Sequence, residues 1–282
     1  MSKIFILGSS GFIGAKLYNY LTRENQSEIL TVGRSGEDVF VDLDNDYDEL
    51  IRVTEAQDFV VFLSSISAPD ICSNKPELAY KVNVTATIAF IKQLAIKGVR
   101  VIFASTDVVF GHYNCSAHDD SPLNPFGAYA KMKAEVENEF LGNENVKFTR
   151  FSYVIGKGDK YTTLMAEFNE TGNVLEVFDG FERNVVSLND VMEGIHNMIQ
   201  NWCNLSFQCI NFCGPKLISR EEITKLFSNE IFQNIVFKLV PAPLNFWDSR
   251  PKIINVESLL FSNLLGRELT SLEQNIKNWS EQ

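Results

Sequence analysis

Apolar runs of strand length alternate with helical patterns through the first half of the chain. Six runs stand out: Ile4 to Leu7, Ile29 to Val32, Val39 to Val41, Phe59 to Leu63, Val101 to Ala104 and Val146 to Phe151. Each is nearly continuously apolar, as a strand covered on both faces requires. Helices are predicted between them, beginning near Phe12, Glu77 and Ala128. Such alternation is the signature of βαβ units, and it predicts an α/β fold built on a doubly wound parallel sheet. From about Ile155 the regularity decays, and Gly, Asn, Pro and aromatic residues mix with shorter segments. That change predicts a second, smaller part. It need not be contiguous, because Val185 to Phe212 holds a helix and a strand (Gln208 to Phe212) suited to return to the main sheet.

Composition agrees with a folded protein of this kind. At 282 residues, 45% hydrophobic and 22% charged, the chain can bury a full core without disulfides. A formal net charge of −11 argues against binding to nucleic acid or to an anionic membrane surface, so an anionic ligand must be met by local arginines. Met1-Ser2-Lys3 leads straight into the first apolar run, which leaves no room for a signal peptide and implies a cytoplasmic protein. The Phe59 to Leu63 run is interrupted by Ser64 and Ser65, far short of the roughly 20 residues that span a bilayer. The five cysteines (Cys72, Cys115, Cys203, Cys209, Cys213) lack Cys-x-x-Cys spacing, and His112, His118 and His196 make no metal constellation with them. They read as reduced thiols, mostly in the core, and no metal is expected.

Gly8-Ser9-Ser10-Gly11-Phe12-Ile13-Gly14 directly follows the first strand and opens the first helix. A glycine-rich turn there lets backbone N–H groups approach a pyrophosphate. The spacing is Gly-x-x-Gly-x-x-Gly, and a glycine triplet alone also serves tight helix packing; the strand before, the helix after and the further strand at Ile29 to Val32 favour a dinucleotide site. The fold is then of the Rossmann type, with residues 1–154 and 184–212 as the dinucleotide-binding domain and 155–183 and 213–282 as an interleaved C-terminal substrate-binding part. The second strand ends Val32-Gly33-Arg34-Ser35 with no carboxylate among these residues. A carboxylate at that position would accept hydrogen bonds from a ribose 2′-hydroxyl, whereas the Arg34 fork and the Ser35 hydroxyl suit a 2′-phosphate. NADP(H) is therefore expected over NAD(H), which stays possible. Asp42 and Leu43 suit the adenine, although an Asp at a strand end is often a turn residue. Leu63, Ser64 and Ser65, at the end of the fourth strand, complete the expected cofactor edge.

Tyr129 and Lys133 stand at i and i+4, hence on one helix face. A phenol ordinarily ionises near pH ~10, so trading a proton near neutrality calls for a neighbouring positive charge that stabilises the phenolate. The fifth strand ends Phe103-Ala104-Ser105-Thr106-Asp107, which puts hydroxyls at the carboxyl edge of the sheet, where ligands of open α/β folds sit. Either Ser105 or Thr106 could orient a carbonyl there.

With these motifs the sequence resembles the extended short-chain dehydrogenase/reductase family. The glycine turn, Ser105 to Gly111, the Tyr129/Lys133 pair and Glu137 one turn later all fall in the family's order. Within it the chain is most similar to the dTDP-4-dehydrorhamnose reductases, a likeness that includes Asn211-Phe212-Cys213-Gly214-Pro215 with Ser219-Arg220, and Arg250-Pro251. The resemblance implies a catalytic set of Thr106, Tyr129 and Lys133, the last two also touching the cofactor, and a supporting role for Asn83 that could equally be structural. It places Tyr153 at the nicotinamide, although Arg150-Phe151-Ser152-Tyr153-Val154-Ile155-Gly156 departs from the family's Arg-x-x-Asn-Val-Tyr-Gly. It further implies substrate contacts from Asp107 and Val108, and a grip on a substrate diphosphate by Arg183 and Arg250. The activity it implies is NADPH-dependent reduction of a keto-sugar carried on a nucleotide diphosphate, by a homodimer. An epimerase or dehydratase on the same scaffold is the alternative, and a non-catalytic regulatory or binding subunit the third. Family dehydratases carry Thr-Asp-Glu where this chain has Thr106-Asp107-Val108, and enzymes that epimerise and reduce carry a cysteine in the place of Asp107. Cys115 lies too far along the loop for that role.

Overall fold

The computed structural model describes residues 2–24, 26–112 and 115–281. Met1, part of the amino-terminal reading, lies outside them. The chain builds β1 (Ile4–Leu7), β2 (Ile29–Gly33), β3 (Val39–Phe40), β4 (Phe59–Phe62), β5 (Arg100–Thr106) and β6 (Val146–Phe151). Together with the strand Cys209–Phe212 they form one seven-stranded sheet, in the order Cys209–Phe212, β6, β5, β4, β1, β2, β3. Every pairing in it is parallel. Side-chain alternation explains the apolar runs. Ile4 and Ile6 of β1 join one core cluster with Phe59 and Val61 of β4 and with Leu188, Val191 and Ile195. Phe5 and Leu7 join the other with Val60, Phe62, Phe90 and Leu94. Both faces are therefore covered by helices, and no polar face is left for alternation to show.

Beyond β6, the residues that do not return to the sheet build a smaller lobe with its own core of Ile155, Tyr161, Met165, Val177, Ile223 and Phe227 among others. Its pieces are short. Val174–Phe178 pairs with Val236–Val240, and Glu182–Arg183 lies between Ile218–Ser219 and Ile253–Ile254. The helix Arg220–Glu230 starts in a capping box made by Ser219 and Glu222, which satisfies amide groups that a helix start otherwise leaves unpaired. Among the described residues no helix is long and apolar enough to cross a membrane. Three of the five cysteines belong to the core, as expected: Cys72 and Cys213 are buried and the half-buried Cys209 packs against a core cluster, while Cys115 and Cys203 are exposed. Cys203 belongs to the surface turn Trp202–Asn204, which explains its exposure.

Candidate active site

The strand order reverses between β4 and β1, and an open sheet leaves a crevice at such a point beyond its carboxyl ends. A cavity of about 580 Å³ occupies that place, lined by Gly8, Gly11, Phe12, Ile13 and Gly14 on one side and by Thr106, Tyr129 and Lys133 on the other. A second hollow of about 570 Å³ lies at the opposite end of the sheet, near Arg100 and Val146 where β5 and β6 begin, and none of the motif residues reach it. The glycine turn is shaped by close approach. A Cβ on Gly14 would stand 2.2 Å from the Gly8 carbonyl oxygen, and Gly8 has φ +92° with Ser64 N 3.0 Å from the place of its own Cβ. The helix Phe12–Glu24 can thus begin immediately against the turn, which makes its N-terminus suited to a pyrophosphate. Ser10 is exposed at the tip of the turn.

Leu63 and Ser65 line the same cavity, together with Ser67, which the sequence reading omitted. Asn83 fixes that loop: its amide accepts from Ile66 N and donates to Ile66 O, both at 2.9 Å. It sits in a π-helical stretch, Lys81–Ala86, an irregularity that recurs at functional sites. Asp42 receives the Asn45 amide at 2.8 Å and the Asp44 N–H at 3.2 Å, so its carboxylate organises a turn. Leu43 is buried in the core beside it. Arg34 and Ser35 are exposed after β2.

One feature of this edge corrects the sequence reading. The turn at Gly36, with φ +77°, folds Glu37 back until its carboxylate accepts from Ser35 N at 2.9 Å. The carboxylate packs so closely that a Cβ on Gly33 would stand 2.6 Å from its Oε1. A carboxylate does therefore stand at the end of β2, delivered from four residues beyond Gly33.

On the other side of the cavity, the helix Ala128–Glu139 presents Tyr129 and Lys133 toward β5. Lys133 is buried, donates to the Ala104 carbonyl at 2.7 Å and lies 4.3 Å from the centre of the Phe103 ring. Its ammonium is 5.8 Å from the centre of the Tyr129 ring. Burial pulls Lys133 down to about 7, partly offset by the nearby Glu137 carboxylate. Burial also pushes the Tyr129 hydroxyl up to about 12, against a smaller opposing effect of the Ser65 side chain. Desolvation thus dominates both groups, acting upward on the Tyr129 hydroxyl and downward on Lys133.

The two hydroxyls of β5 have different surroundings. Both line the cavity, but Ser105 is buried and donates to Glu137, whereas Thr106 is half-buried. Glu137 itself forms a buried ion pair with Arg150 at 2.7 Å, and Arg150 donates onward to the Asp119 carbonyl at 2.8 Å. Asp107 turns away from the cavity to accept from Ser152 at 2.9 Å; burial pushes its carboxyl up, and the nearby Arg183 opposes this. Val108 donates its N–H toward the Thr106 hydroxyl at 3.4 Å and closes the strand into a short 3₁₀ turn. Tyr153 reaches the cavity and donates to Asp159 at 3.0 Å, whose carboxylate also caps the helix Lys160–Thr171.

The two arginines expected to hold a diphosphate have protein partners. Arg183 is 4% exposed and donates to the carbonyls of Glu182, Lys252 and Pro251 at 2.7, 2.8 and 2.7 Å. Arg250 makes a two-pronged pair with Asp70, at 3.0 and 2.9 Å. Asp159, Glu37 and the Arg150–Glu137 pair escaped the sequence reading because each acquires its role only through a tertiary partner.

A parallel sheet with a glycine-rich turn at its switch point, and a tyrosine and lysine facing the same crevice, is the fold of the extended short-chain dehydrogenase/reductase type. The chain belongs to the family described as the RmlD substrate binding domain, which it matches over residues 2–234. It is similar to a dTDP-4-dehydrorhamnose reductase from Clostridium acetobutylicum, at 20% identity and a TM-score of 0.81, over 99% of this chain and 98% of that one. It is also similar to MoeE5, solved with UDP-glucuronic acid and NAD, at 18% identity and a TM-score of 0.81, over 99% of both chains. A curated relative, methionine adenosyltransferase 2 subunit beta of Xenopus tropicalis, is 29% identical over 163 residues, 56% of this chain. The match spans about half, 48%, of that relative's length.

Proposed function

We propose that the protein reduces a ketone on a nucleotide-diphosphate-linked sugar, with NADP(H) preferred over NAD(H). The observation that carries this reading is the meeting of Thr106, Tyr129 and Lys133 with the glycine turn in one cavity. A bound dihydronicotinamide would supply the hydride. The chain's own residues do the rest. Thr106 orients the carbonyl, Tyr129 donates the proton that balances the new alkoxide, and Lys133 holds the ribose and the tyrosine. The high position of the Tyr129 hydroxyl keeps that proton available at neutral pH. At the adenosine end, Arg34 is the partner for a 2′-phosphate, while the Glu37 carboxylate against Gly33 opposes it and limits the preference. The homodimer and the cytoplasmic location belong to the same proposal. Reduction is favoured over dehydration because no Glu follows Thr106-Asp107.

Tyr129→Phe tests the assignment, since it keeps the ring and removes only the transferable proton. Turnover of a keto-sugar nucleotide is expected to fall at least 100-fold while the dinucleotide Kd stays within twofold. Unchanged turnover across neutral pH would remove Tyr129 from the mechanism. The likeness to the methionine adenosyltransferase beta subunit favours one second reading, a subunit that attaches to another enzyme. The same assay separates the two, because a purely regulatory subunit turns over none of the substrates.

A further inference from the structure

Arg220 is the first residue of the helix Arg220–Glu230. Its guanidinium lies 4.2 Å from the centre of the Phe181 ring, 4.4 Å from that of Tyr161 and 5.8 Å from that of Tyr153. Its Nε is buried and has no hydrogen-bond acceptor among the described residues. Nor does any carboxylate among the described residues come within ion-pairing distance of it, although Arg150, Arg250 and Arg267 all have such partners. With 36 acidic residues against 25 basic ones, this is no shortage of carboxylates. Aromatic faces attract a cation but leave its N–H edges without acceptors. A buried donor left unpaired is destabilising, which an arriving anion would relieve.

The surroundings indicate which anion. Tyr153 belongs to both the cage and the cavity that holds Thr106 and Tyr129, so Arg220 stands one ring away from that cavity. Phe181 also lies 4.2 Å from the Arg183 guanidinium, the residue whose terminal nitrogens already donate to three backbone carbonyls. We propose that Arg220, held between Phe181, Tyr161 and Tyr153, binds a phosphate of the substrate's nucleotide diphosphate, and that Arg183 braces the lobe that carries it. The planar fork of Arg220 suits two phosphate oxygens at once. This assignment rests on the reading of the substrate as a nucleotide-linked sugar.

The test measures binding of UDP and dTDP, which carry the diphosphate without a sugar, in the presence of saturating NADPH. Wild type, Arg220→Met and Arg220→Lys are compared by titration calorimetry, with uridine and thymidine as phosphate-free probes. Arg220→Met is expected to weaken the diphosphate at least tenfold, Arg220→Lys less, and NADPH affinity to change under twofold. If wild type binds UDP or dTDP and Arg220→Met binds it equally well, the assignment is overturned while the nucleotide-sugar reading stands. If wild type binds neither, that reading falls and takes Arg220 with it. A matching loss of NADPH affinity in both variants would show general damage to the fold and also overturn the assignment.

Discussion

Lys133 carries a cost that can be measured without any substrate. Its pKa is pulled from the ordinary 10.5 to about 7 by burial, so in the folded protein it releases its proton earlier than in the unfolded chain. Between those values the unfolded state binds more protons, and stability must rise with pH; below about 7 the destabilisation is fully present. Lys133→Met is expected to flatten this slope. Urea midpoints at pH 7 and pH 9.5 check it, and an unchanged slope in the variant would place the titration elsewhere. At the other end of the cleft, Arg34→Ala is expected to weaken NADPH at least fivefold with little effect on NADH. Glu37→Gln should favour NADPH, since it removes a like charge from the 2′-phosphate position. Dissociation constants that do not separate the two dinucleotides in any of these proteins would dismiss both roles. Tyr129 and Lys133 were legible in the sequence because their relation is set by helical spacing alone. Glu37 was not, because the Gly36 turn that returns it to Gly33 shows no hydrophobic pattern.

Elements hold the site through buried polar partners. The Ala128–Glu139 helix is tied to β5 and β6 by Glu137, which takes the Ser105 hydroxyl and the Arg150 guanidinium together. Removing one partner leaves the other charge buried and alone, so Glu137→Ala is expected to cost about 3–5 kcal/mol of stability. Denaturant unfolding checks this, and a loss below about 1 kcal/mol would show that the pair does not brace the sheet edge. The main strands were readable because burial on both faces makes them continuously apolar. Two-residue strands such as Glu182–Arg183 and Ile218–Ser219 carry no such run, since their pairing is fixed by neighbours distant in sequence. The same limit explains Arg183, whose sequence context matched a ligand position but whose fork is filled by the carbonyls of its own lobe.

At the scale of the molecule, the seven-stranded sheet and its helices bring the glycine turn, Thr106, Tyr129 and Lys133 to one crevice, which Gly158, Asp159 and Lys160 from beyond β6 also line. Parallel pairing follows from the alternation of strands and helices, which is why the parallel core could be anticipated. The residues that line the crevice from beyond β6 could not, because they come from short pieces whose side chains meet only after folding. The central claim concerns what happens in that crevice, and one measurement reaches it directly. Purified protein is incubated with a panel of nucleotide-linked 4-keto sugars and NADPH, and both NADPH absorbance and product mass are followed. Reduction predicts a product two hydrogens heavier than its substrate, with one NADPH consumed for each. Loss of water, or isomerisation with no net consumption of NADPH, would contradict it.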